Sequence, residues 1–216
     1  MNCKIMTTFS FKLFTRALFI VFLNLVLVLS TEAKTYEEGE GKDYEVRSET
    51  ASDSPRIREF FSFWCGHCFM MQEPFSKLAE HVKDKAEFRM NPVSSLGGEA
   101  GVESQKAFAA AKVLGVDKEF AATLFDEMHK QEKIPQDHND FVRIFESIGI
   151  PKSVYEKESS SFVVLGMVSE FDSATEKLKI DAVPEIVVND KYYVNMEKLE
   201  TIDELIQIVD YLLTLK

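Results

Sequence analysis

Past its first thirty-odd residues, the chain switches between two kinds of apolar pattern. Ile57 to Phe63 is a bulky, mostly apolar run of the kind carried by a strand buried on both faces. It leads into Trp64-Cys65-Gly66-His67-Cys68, after which the period lengthens. Phe75, Leu78, Ala79 and Val82 then share one face of a helix running from about Cys65 to Val82. Pro74 lies inside that helix and is expected to kink it, because it removes an N–H and clashes with the preceding turn. Ala86–Met90 reads as the next strand, and Tyr44–Arg47 as a short strand ahead of the first.

From Gly97 to Ser161 no strand pattern occurs. Helical stretches are expected at about Val102–Leu114, Lys118–Lys130 and Asp137–Ser147, with a short turn near Pro151–Lys157. Gly115 and Gly149 stand where helices stop, and Asp137 is a reasonable N-cap. A long helix follows over about Ser160–Lys179. Strand signals then return as a hairpin, Glu185–Val188 and Lys191–Val194 about an Asn189-Asp190 turn. A last helix, about Ile202–Leu213, aligns Leu205, Ile208, Val209 and Leu212. A helical block interrupting an α/β unit points to one domain inserted into another.

The first 33 residues follow different rules. Lys4, Lys12 and Arg16 precede an apolar run, Ala17 to Leu29, broken only by Asn24, and small residues close it at Thr31 and Ala33. This describes a cleaved secretory signal peptide. The alternative, a membrane anchor, needs about 20 apolar residues. Removing this segment takes three basic residues and Glu32, moving the formal charge from −11 to −13. So acidic a chain repels phosphate backbones, which argues against a nucleic-acid partner. Cys3 leaves as well, so an exported chain retains only Cys65 and Cys68.

That pair carries the chemistry. Two intervening residues at the start of a helix place both sulfurs on one turn. A helix N-terminus favours negative charge, and thiolate rather than thiol attacks a disulfide. Exchange then passes through a mixed disulfide. Cys65 is expected to be the attacking and attacked sulfur, Cys68 the resolving one, with His67 beside them. Two other readings stand next to this. One is a zinc site, which needs four ligands and has only His67, His81, His129 and His138 to add. The other is a merely structural bridge, although so short a loop gains little unfolded-state entropy. Phe63, Trp64, Phe69, Met70 and Met71 surround the pair with apolar bulk; Phe63 and Met71 are expected to be buried, and Trp64, just outside the strand, to be exposed.

Glu59-Phe60-Phe61-Ser62-Phe63-Trp64-Cys65-Gly66-His67-Cys68 resembles the active-site segment of the bacterial periplasmic thiol oxidases of the DsbA family. Phe162-Val163-Val164 and Ala182-Val183-Pro184-Glu185-Ile186-Val187-Val188-Asn189-Asp190-Lys191-Tyr192 resemble that family's later helix and its cis-proline hairpin. The resemblance implies an α/β thioredoxin fold with an inserted α-helical domain. Residues 34–96 and 162–216 would form the thioredoxin-like part and 97–161 the insertion. It also implies that Pro184 is cis and faces Cys65, that Val183, Trp64 and Gly66 meet substrate, and that Glu59 is a buried carboxylate beneath the active-site helix. The sequence departs from the family's pattern in four places: Gly66 replaces the usual proline between the cysteines, Pro74 sits in the active-site helix, Glu185 follows Pro184, and the segment Asn195–Thr201 is shorter than in the longest members. Glu59 and Glu185 are expected to tune the sulfurs.

The expected function is that of a periplasmic thiol:disulfide oxidoreductase, a monomer that introduces disulfides into newly exported, unfolded cysteine-containing proteins. Its redox group is the Cys65–Cys68 disulfide itself, with no metal and no other cofactor. A quinone-linked membrane oxidase like DsbB would reoxidise it, as the resemblance implies. The rivals are a reductase or isomerase of the same compartment, and a non-catalytic thioredoxin-fold chaperone.

Overall fold

The computed structural model describes residues 34–215, so the signal peptide expected over 1–33 lies outside the described residues. The described strands are β1 Tyr44–Val46, β2 Arg56–Phe61, β3 Glu87–Pro92, β4 Glu185–Val188 and β5 Tyr192–Val194. The α-helices are α1 Gly66–Met70, α2 Gln72–Val82, α3 Gly98–Leu114, α4 Asp117–His129, α5 His138–Ser147, α6 Lys152–Ser159, α7 Phe162–Lys177 and α8 Ile202–Thr214. One sheet joins the strands in the order β1-β5-β4-β2-β3. Only the β2–β3 pair is parallel among them. That pair is connected through α1 and α2, as a parallel crossover requires.

Strand alternation sets the two faces of the sheet. Ile57, Ile186 and Val188 pack against Phe75, Leu78 and Val82 of α2 and Leu205, Ile208, Val209 and Leu212 of α8. Phe60 and Val187 face the other way, onto Val93 and Leu178. The helical block α3–α6 has an aromatic core in which Phe120 and Phe145 stack, as do Phe145 and Tyr155. That core is shared with the sheet, because Phe61, Phe63 and Cys68 belong to it. The active-site segment is thus one wall of the insertion's own core.

The helix expected over Cys65–Val82 is instead two helices, and the break falls at Met71, before Pro74. Pro74 occupies the first turn of α2, where a missing N–H costs nothing, while its ring excludes continued helix back to the carbonyl of Met70, four residues earlier. The turn expected near Pro151 is a full helix, α6. At the hairpin, Asn189 and Asp190 both adopt positive φ, 56° and 49°. This is the two-residue turn whose twist suits adjoining strands.

Asp190 also closes a buried charge network. It accepts from Arg56 Nη1 at 2.7 Å and from Arg58 Nε at 2.9 Å. Arg58, 2% exposed, further donates to Asn91 and Glu170. Against the cost of burial, the two guanidinium groups hold the Asp190 carboxyl below the usual range. Asp190→Asn suits the left-handed backbone equally well, so it isolates the charge. We expect it to cost about 3 kcal/mol in urea unfolding, because it strips a buried arginine of a counter-charge. A loss under about 0.5 kcal/mol, the size of an ordinary surface change, would contradict this.

Candidate active site

The turn from β2 into α1 is built by Ser62. Its Oγ accepts the Trp64 N–H at 3.2 Å and its carbonyl accepts the Cys65 N–H at 3.1 Å. Cys65 caps α1 with extended backbone, and its Sγ accepts the Cys68 N–H at 3.0 Å. The same sulfur donates to the Val183 carbonyl at 3.5 Å. Val183–Pro184 is cis, as the resemblance implied. The loop that leads into β4 places the Val183 carbonyl directly against the first sulfur.

The two cysteines are unequal. Cys65 is half-buried, whereas Cys68 is 1% exposed. Burial pushes the Cys68 thiol up, its hydrogen bond with Cys65 adds to this, and the Glu59 carboxylate adds further, with the Ser62 backbone opposing. Cys68 is thus a shielded thiol that keeps its proton at neutral pH. Glu59 sits in the interior of β2, opposite Ile186 and so on the sheet face that α2 covers. Burial alone raises its carboxyl to about 8. Once ionised, above about pH 8, it is the buried carboxyl whose charge acts on Cys68.

Glu185 is placed differently from Glu59. It lies opposite Phe60, so its side chain belongs to the other face of the sheet. The carboxylate turns to Arg47, 3.5 Å away, and the groups acting on it are Arg47, Asp181 and Glu45. The charges acting on Cys68 are Cys65 and Glu59. Glu185 was expected to tune the sulfurs, but the structure turns it away from them.

His67 and Gly66 are exposed on the outer turn of α1, and a Cβ at Gly66 would meet nothing within 4 Å. No steric demand explains the glycine between the cysteines. Trp64, expected to be exposed, is half-buried, because its indole lies flat against Gly97. A Cβ at Gly97 would stand 2.4 Å from the ring, and the residue has φ 85°. Exposed apolar surface comes instead from Met70, 66% exposed, and from Phe162 and Val163 at the start of α7. We expect Gly97→Ala to displace the indole and destabilise the fold by about 2 kcal/mol through overpacking. Trp64 is the single tryptophan, so its emission reports the displacement directly. An unchanged spectrum would contradict the packing described.

Three of the histidines weighed as zinc ligands, His81, His129 and His138, have other partners. His81 meets Asp210 at 2.9 Å and His138 meets Glu103 at 2.7 Å. His129 has a role that the sequence did not reveal. Its Nε2 lies 2.8 Å from the Phe63 carbonyl and its ring stacks on Phe69 at 5.0 Å. The end of α4 is thereby tied to both sides of the cysteine turn. Arg47 was also missed, since besides Glu45 its side-chain partners, Lys179 and Glu185, are 132 and 138 residues away along the chain.

Comparison with known proteins agrees with this arrangement. The model of the DSBA-like thioredoxin domain matches residues 56–207. The thiol:disulfide interchange protein DsbA of Escherichia coli K12 is 30% identical over 190 residues, covering 86% of this chain and 89% of that protein. The crystal structure of DsbA from Klebsiella pneumoniae superposes with a TM-score of 0.76 at 27% identity, covering 85% of this chain and all of that one. A Proteus mirabilis DsbA, as a cysteine-to-serine variant with the peptide PWATCDS bound non-covalently, aligns with a TM-score of 0.71 at 26% identity, over 82% of this chain and 98% of that one. The family model and these relatives each cover most of the chain, and the chain belongs to the family of DSBA-like thioredoxin domains.

Proposed function

We infer that this protein is a thiol:disulfide oxidoreductase that introduces disulfide bonds into newly exported proteins, using Cys65 and Cys68 as its redox pair. One observation carries the reading. A half-buried sulfur lies against the carbonyl of Val183 in the loop ahead of β4, and a second, protonated sulfur is buried in the core one helical turn on. A substrate thiolate attacks Cys65 Sγ of the oxidised pair, forming a mixed disulfide and breaking the Cys65–Cys68 bond. Cys68 leaves as a thiolate and takes up a proton, which burial then holds on the sulfur. A second substrate thiolate then attacks the substrate sulfur of the mixed disulfide and releases Cys65. Two electrons pass from the substrate dithiol to the protein dithiol.

An extended peptide adding to the Val183 backbone as a strand suits substrates without fixed shape. Met70, Phe162 and Val163 supply exposed apolar surface for such chains. In keeping with the N-terminal segment, we assign the protein to the periplasm as a monomer, reoxidised by a quinone-linked membrane protein like DsbB. Mixing the oxidised protein with a reduced two-cysteine peptide tests the reading. The expected result is one peptide disulfide gained for each protein disulfide lost, and no gain with Cys65→Ala. A peptide that stays reduced would overturn it. Equal protection of an unfolded client from aggregation by the wild type and by Cys65→Ala, with no disulfide transfer, would favour the chaperone reading.

A further inference from the structure

Glu185 is an unusual residue to bury. It is 3% exposed, directly follows Pro184, and opens the strand whose approach faces Cys65. Its counter-charge arrives from across the sheet. Arg47 follows β1 at the sheet edge, and its backbone N–H donates to the Lys191 carbonyl at 2.9 Å. Its guanidinium lies over the Tyr193 ring, 3.6 Å from the centroid, so its direction is set before it meets any partner in the loop. From there Nη1 donates to the Lys179 carbonyl at 3.1 Å and lies 3.5 Å from Glu185 Oε2. Lys179 and Glu185 are the two ends of the segment that contains Val183 and Pro184. One guanidinium therefore staples both ends of the loop whose Val183 carbonyl stands 3.5 Å from Cys65 Sγ.

We propose that Arg47 and Glu185 are a positioning pair for disulfide exchange: together they fix the Lys179–Glu185 loop and with it the carbonyl on which an incoming peptide lays its backbone. Neither residue touches the reacting sulfurs. The inference rests on the function proposed above and adds a control over substrate binding. The pair is also sensitive to acidity in the neutral range. Burial, with Asp181 and Glu45 adding to it, raises the Glu185 carboxyl to about 7 against the pull of Arg47. The other groups around it are the Tyr193 hydroxyl, itself raised first by burial and then by Glu185, and the apolar Phe60 of β2. Above pH 7 Glu185 is ionised and the staple is charged at both members. At pH 5.5 it is neutral, and Arg47 keeps its bond to the Lys179 carbonyl and its pair with Glu45, 3.5 Å away, but loses the charged partner at the far end of the loop.

Peptide binding separates this from chemistry and from folding. In a Cys65→Ser background no covalent step occurs, and calorimetric titration with the peptide PWATCDS gives affinity and stoichiometry separately. We expect Arg47→Leu and Glu185→Gln to weaken binding about tenfold at pH 7.5, the scale of one charge-assisted hydrogen bond, with stoichiometry unchanged. Arg47→Lys should restore most of the affinity. With Arg47 and Glu185 intact, binding should weaken several-fold between pH 7.5 and 5.5, and Glu185→Gln should flatten that profile. A lower stoichiometry at unchanged affinity would mark the pair as merely structural and overturn the proposal. So would a pH profile that Glu185→Gln leaves intact. If the Cys65→Ser chain bound no peptide at any pH, the proposed function would fall with it.

Discussion

Cys68→Ser is expected to accumulate a stable mixed disulfide at Cys65 when the reduced chain meets oxidised glutathione, whereas Cys65→Ser should form none. In the first variant the Cys65 thiolate attacks one glutathione sulfur and releases the other as a thiolate, and nothing remains to resolve the product. In the second, the surviving sulfur is 1% exposed and holds its proton through burial, so it neither reaches the disulfide nor ionises to attack it. Disulfide transfer should fall to the uncatalysed rate in both variants, since each lacks half of the redox pair. Intact mass after brief incubation decides the assignment. A glutathione adduct on Cys68 in the Cys65→Ser chain would reverse the roles of the two sulfurs.

Replacing Glu59 with glutamine should stabilise the oxidised chain by about 3 kcal/mol at pH 7 relative to its effect at pH 4. In the unfolded chain a glutamate ionises near 4.5, whereas burial holds the folded carboxyl protonated to about 8. Below pH 4.5 both states carry the proton and the group costs nothing through titration. Between the two values only the unfolded state gives up its proton, so stability falls with rising pH by about 1.4 kcal/mol per unit. Above pH 8 both states are ionised, and the full penalty of about 5 kcal/mol stands. Glutamine removes the whole slope, and any fixed cost of its buried amide is the same at every pH. Urea unfolding across pH 4–9, with the disulfide formed so that neither sulfur titrates, checks this. Parallel pH profiles for wild type and Glu59→Gln would contradict a buried, protonated Glu59.

A sequence shows some of this molecule readily because the relevant signals are local. The cysteine turn, the Asn189-Asp190 hairpin and the stripes of α2 and α8 each lie within a few residues. Glu59 came from the resemblance of the segment around the cysteines and not from periodicity, since its strand also carries Arg56 and Arg58. The break at Met71 was misplaced because a proline acts on the carbonyl four residues before it, so a helix ends ahead of the residue responsible. Other features depend on strand order. Arg47 and Glu185 are separated by 138 positions and meet because β1 pairs with β5, which pairs with β4. Arg58 likewise finds Asp190 only through the β2–β4 register. Trp64 was misjudged for a related reason, since its cover comes from Gly97 in a loop with no pattern of its own.

The redox potential of the pair tests the central claim most directly. In the dithiol, Cys65 Sγ accepts the Cys68 N–H and donates to Val183, interactions that favour the reduced form and so make the disulfide a stronger oxidant. Equilibration with glutathione, read through the emission of Trp64 beside the pair, gives the constant. A disulfide donor should lie near the bacterial oxidase at about −120 mV, and a general reductant near thioredoxin at about −270 mV. The two are separated by a factor of about 10⁵ in the equilibrium constant. We expect a value near −120 mV. A value near −270 mV would show that the pair accepts disulfides rather than donating them, and would contradict the account.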